Sequence, residues 1–172
     1  MTFLALALAA VLAAPPVAAQ AVAGTYRVRA TVRMPAVPVL GTVEPRGDVV
    51  LRPGASPGAV SARLAARGHA CTLEGRAREG GAITFAPGQA CTIALDDPGV
   101  RGRVEAVLRG ARASVDAAGR ITLALALELS GAVRVATGLE GIPGLAGEAE
   151  VPVSGPATVD GAGDRDNSRA GE

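Results

Sequence analysis

The chain has 172 residues, with seventeen Arg, no Lys and sixteen acidic residues, for a formal charge of +1. A near-neutral chain has no overall basic field with which to gather nucleic acid or anionic lipid. Two Phe, one Tyr and no Trp leave almost no flat surface on which bases or sugars could stack.

The run from Phe3 to Ala14 is continuously apolar. It is shorter than the roughly twenty residues a bilayer-spanning helix needs. Small residues follow, and Val17-Ala18-Ala19 fits the small-x-small rule for cleavage after Ala19, with Ala21 as the other candidate. Residues 1–19 are therefore expected to be a signal peptide and the chain to be exported, to the periplasm or the cell exterior. No later stretch reaches transmembrane-helix length without a charge or a Gly, so no transmembrane segment is expected in the mature chain.

Beyond Gly24 the hydrophobic period is two, which marks extended chain rather than helix. From Thr25 to Met34, the residues Tyr26, Val28, Ala30, Val32 and Met34 share one face, and Arg27, Arg29 and Arg33 the other. A short strand near Val39–Val43 follows, then a predicted turn at Glu44-Pro45-Arg46-Gly47 and a return strand over Asp48–Arg52. Val60–Ala66 and His69–Arg78 alternate again.

A three-residue hairpin loop at Gly80-Gly81-Ala82 sets Glu79 opposite Ile83. Carried along the hairpin, that register puts Cys71 opposite Cys91. The two Cys of an exported chain are expected to pair, which closes a loop of about twenty residues and stabilises by roughly 3 kcal/mol in the chain-entropy description. Pro87-Gly88 is the place where a bulge would disturb this register.

Asp96-Asp97-Pro98-Gly99 reads as a turn. The strand from Arg101 to Val115 changes parity at Gly110: Val104, Ala106 and Leu108 lie in phase before it, Ala111, Ala113 and Val115 after it. A one-residue β-bulge there restores a single face. Ile121, Leu123, Leu125, Leu127 and Leu129 form the strongest apolar face in the chain, with a Gly kink at Gly131. Gly138–Gly147 reads as a loop and Glu148–Val153 as a last strand. Residues 156–172, rich in Gly, Asp, Arg, Asn and Ser, are expected to be a disordered tail.

The predicted fold is all-β: one antiparallel β-barrel over residues 24–155, with a β-sandwich as the alternative. The long, kinked strands favour an up-and-down barrel, lipocalin-like in outline. That likeness rests on strand number and carries no residue with it.

No catalytic constellation stands out. His69 and Cys71 share a face and could be imagined as a dyad, but a third orienting group is missing and the thiol is expected to be oxidised. One His and two Cys are too few for zinc, and Asp96-Asp97 suits turn chemistry better than calcium. No metal, no cofactor and no enzyme activity are expected. The apolar interior remains, with Tyr26, Phe85, Leu108, Leu123, Leu125 and Leu127 as candidate ligand-binding residues. The expected function is a non-catalytic binding module for a small apolar ligand. The alternative is a structural or interaction protein of the cell envelope, whose contact face is the Arg27/Arg29/Arg33 stripe with Arg76 and Arg78.

Overall fold

A computed structural model describes residues 17–35, 41–97, 99–137 and 147–169. A six-residue helix, α1 (Val17–Val22), precedes ten strands: β1 (Gly24–Arg33), β2 (Thr42–Val43), β3 (Arg46–Pro53), β4 (Ala59–Ala66), β5 (His69–Ala77), β6 (Ala82–Phe85), β7 (Ala90–Asp97), β8 (Val100–Val115), β9 (Arg120–Thr137) and β10 (Gly147–Arg165).

The fold is a closed eight-strand antiparallel β-barrel with two extra strands. Each barrel strand pairs with its neighbours in the order β1-β3-β4-β5-β6-β8-β9-β10, and β10 closes on β1 from Tyr26–Arg165 to Arg33–Thr158. The extra strands prolong their predecessors or successors: β2 lies on β1 beyond β3, and β7 lies on β8 beyond β6.

Alternation dictates the core. Along β10 from Glu150 to Arg165, every second residue turns inward without a break. On β8 the ladder shifts between Leu108, opposite Leu127, and Gly110, opposite Ala126. The parity change at Gly110 is thus a real bulge, and both halves of the strand face the core.

Three expectations are corrected. Glu44–Gly47 is not a chain reversal. Both β2 and β3 run along β1, the Ala30 amide donates to the Pro45 carbonyl at 3.0 Å, and the segment is an irregularity within one edge. The reversal lies before it, where the Met34 amide bonds the Gly41 carbonyl at 2.8 Å. Of the strand expected at Val39–Val43, Thr42–Val43 is strand and residues 36–40 lie outside the described residues.

The β5–β6 loop is Glu79-Gly80-Gly81 rather than Gly80-Gly81-Ala82: the Arg78 amide donates to the Ala82 carbonyl at 2.8 Å, and Ala77 rather than Glu79 faces Ile83. The segment expected to be a tail is barrel wall up to Arg165. Its inward positions include Gly161 and Gly163, whose sparse side chains hide the pattern. They are small for a reason: a Cβ on Gly161 would press on Leu123 and Val28 at 3.1 Å, and one on Gly163 would collide with the Arg27 carbonyl. Residues 138–146 of the expected loop and residues 1–16 of the expected signal segment lie outside the described residues, while Val17–Ala19, the end of that segment, belong to α1.

The core has two parts. One gathers Val22, Tyr26, Leu51, Val60, Ile83, Leu108, Val115 and Ile121, all nearly inaccessible, around α1 at one end of the barrel. The other joins Val104, Leu129, Val133, Val153 and Ala157 along the far halves of β8, β9 and β10.

Candidate functional site

The α1 end of the barrel is a plugged floor. Ala19 and Val22 of α1 are buried among barrel side chains. The Tyr26 hydroxyl donates to the Val22 carbonyl at 2.6 Å. Arg165, the last inward residue of β10, lies over the Tyr26 ring with its guanidinium carbon 5.4 Å from the ring centre, and donates to the Tyr26 hydroxyl at 2.8 Å and the Ala21 carbonyl at 2.9 Å. The single Tyr thus has its polar tip satisfied on both sides, as a buried phenol requires.

Above the floor lies a cavity of about 450 Å³. It separates the two parts of the core and is lined on the inside by aliphatic side chains, among them Val28, Leu64, Ile93, Leu123, Leu125 and Leu127. It opens at the end of the barrel formed by β2, the start of β3 and the β4–β5 turn, where Arg67, His69 and Asp48 stand on its wall. Among the described residues these are the only charged or imidazole groups lining it.

One side of the cavity has a seam. Between β5 below Gly75 and β7, no backbone ladder runs among the described residues, although both strands are paired on their other edges. Two side-chain devices hold the seam. Gln89 replaces a strand partner: its Oε1 accepts the Glu74 amide at 2.6 Å and its Nε2 donates to the Glu74 carbonyl at 2.9 Å. Next to it Cys71 and Cys91 form the disulfide, Cα atoms 5.6 Å apart. Cys71, Ile93 and Leu95, from both sides of the seam, line the cavity.

The six candidate ligand residues divide evenly. Leu123, Leu125 and Leu127 line the cavity. Tyr26, Phe85 and Leu108 do not; they pack in the lower core, Tyr26 and Leu108 at 0% and 1% exposure. The strand alternation gave them the right face but not the height along the barrel, which α1 decides by filling the lower end. Arg67 and Asp48 at the mouth are residues that apolar patterning passes over. His69 shares the inward parity of Cys71 and was open to detection by that route.

The cysteine of the imagined His69/Cys71 dyad is held in the disulfide, so it supplies no thiolate. Among the described residues no group of three or more His, Cys, Asp or Glu is placed to hold a metal ion. The arginine stripe on β1 is largely engaged: Arg27 reaches Asp166 at 3.0 Å and Arg33 reaches Asp160 at 2.7 Å. A second, exterior groove on β7–β10 carries Arg101, Arg103 and Arg134, two of which are paired with Asp96 and Glu150. The chain matches no protein family, no curated protein and no solved structure.

Proposed function

We propose that this chain is a non-catalytic carrier, exported to the periplasm or the cell exterior, that holds a small apolar ligand inside its barrel. The observation that carries the reading is the aliphatic cavity of about 450 Å³ above a separately packed floor. That volume lies within the range of roughly 300–1,000 Å³ in which small-molecule sites fall. The disulfide suits an oxidising compartment, and no described helix is long and apolar enough to cross a membrane. The rival reading, an envelope contact through the arginine face, has less support, because Arg27 and Arg33 of that face are already paired with Asp166 and Asp160.

Burial of each further methylene contributes about 0.8 kcal/mol. Affinity for a homologous series of alkyl ligands should therefore rise about fourfold per carbon and level off when the cavity is full. A Leu127→Trp variant fills the cavity from its wall. It should lose binding of an environment-sensitive alkyl probe while its urea unfolding changes by only about 1 kcal/mol, since the added ring enters open space. A wild-type protein that binds no member of the series would end the proposal.

A further inference from the structure

The carrier reading leaves the ligand's chemistry open, and the mouth of the cavity narrows it. Resting on that reading, we infer that the occupant is a single-chain amphiphile with an anionic head, its alkyl chain inside the barrel and its carboxylate or phosphate held at the mouth by Arg67, with His69 beside it. The aliphatic interior supplies no hydrogen-bond partner from a side chain, so a ligand with polar groups along its length would leave them unpaired. The polar groups stand together at the opening, on the β4–β5 turn and the start of β3. The site is therefore apolar in depth and polar at one end, which is the shape of an amphiphile.

The sign of the head follows from the charges. Arg67 is the only arginine on the cavity wall among the described residues, and it makes no ion pair or hydrogen bond with any of them. Asp48, the one acid on the wall, belongs to the outward series of β3 and faces Arg27 in the ladder. Arg67 also occupies an unusual backbone position. With Gly68 it forms the two-residue turn between Ala66 and His69, and both have positive φ, 47° and 82°. Arg67 is the only described non-Gly residue in that region. Such turns favour Asn, Asp or Gly at the first position. A long cation placed there instead, on the cavity wall and without a partner, is backbone strain located where a ligand would use it. A guanidinium offers paired donors to carboxylate and phosphate oxygens alike.

The test is calorimetric titration of the full chain with four probes that share one alkyl chain: laurate, lauryl phosphate, lauryl alcohol and lauryl trimethylammonium, each kept below its micelle concentration. Laurate or lauryl phosphate, or both, should bind about tenfold or more tightly than the alcohol, the range of a charge-assisted bond, and the ammonium most weakly. A preference between the two anions identifies the source, a free fatty acid or a phosphate-headed lipid. Arg67→Gly removes the cation and suits the turn, so folding is kept. It should bring the anions down to the alcohol's affinity and leave the alcohol unchanged. Equal binding of alcohol and anions, or an equal loss of both in Arg67→Gly, overturns the anionic head and leaves the carrier intact. Failure of all four probes removes the carrier reading itself.

Discussion

The two ends of this barrel are built from the same kind of strand and do opposite things. At the α1 end, a helix turn, a tyrosine and an arginine fill the space, and Ile121, Val60 and Tyr26 have no exposed surface. At the other end the same strands continue with aliphatic side chains that pack along β8, β9 and β10 and border a cavity of about 450 Å³. The wall is similar; what differs is whether something is inserted. Closed barrels of eight strands are just wide enough to be filled by side chains or to hold one small ligand. Here each outcome occupies its own end of the same barrel.

That contrast can be broken by removing the same atoms from each end. Ile121→Ala in the floor should destabilise by about 4 kcal/mol, because a close-packed site cannot collapse around the void. Ile93→Ala on the cavity wall should cost about half as much or less, since those atoms already border open space. Equal losses in urea unfolding would show that the two ends are packed alike.

The seam comes next. Replacing both Cys71 and Cys91 by Ser should lower stability by about 3 kcal/mol for a separation of 20 residues. Hydrogen exchange should quicken along β5 and β7 more than along β1 and β3, because Gln89 is then the remaining tie described across the seam. Tyr26→Phe should cost about 1–2 kcal/mol by leaving the Val22 carbonyl unpaired, with no effect on ligand affinity.

The smallest effect is at the surface. Hydrogen bonds from the Ser168 hydroxyl and amide, and then the nearby Arg27 charge, hold the Asp166 carboxyl below its ordinary value. A depressed value in the folded state means stability that is present in neutral solution and lost as pH falls through the carboxylate range. An Asp166→Asn variant should therefore show a slightly flatter acid limb in its stability-versus-pH curve than the wild type.

The fold was legible where the inward residues are large. The leucines of β9 and the parity change at Gly110 announce themselves because bulky apolar side chains recur every second position. The cysteine pairing was legible for a subtler reason. The β5–β6 register is displaced by two residues from the expected one, and two extra residues in the Ala86–Gln89 stretch bring the chain back, so Cys91 still meets Cys71. An even displacement preserves the face, and face is what alternation reports. The last half of β10 was hard to read because Gly161 and Gly163 stand at two of its inward positions, the first kept small by Leu123 and Val28 and the second by the Arg27 carbonyl. The cavity was only half legible: alternation tells which way a side chain points, not whether a helix from elsewhere in the chain will fill the space it points into.

Closure of the barrel by β10 on β1 also sets the order in which the protein can be made. Tyr26 pairs with Arg165, and Arg33 with Thr158, so the first strand waits for nearly the entire chain before its second edge is covered. Contacts this distant in sequence slow folding. A polypeptide stopped anywhere before Thr158 is left with two bare edges, the raw material for pairing with other copies. The small, unassuming residues near the C-terminus are thus the clasp of the whole assembly, and their loss would be felt as aggregation long before it was felt as a missing contact.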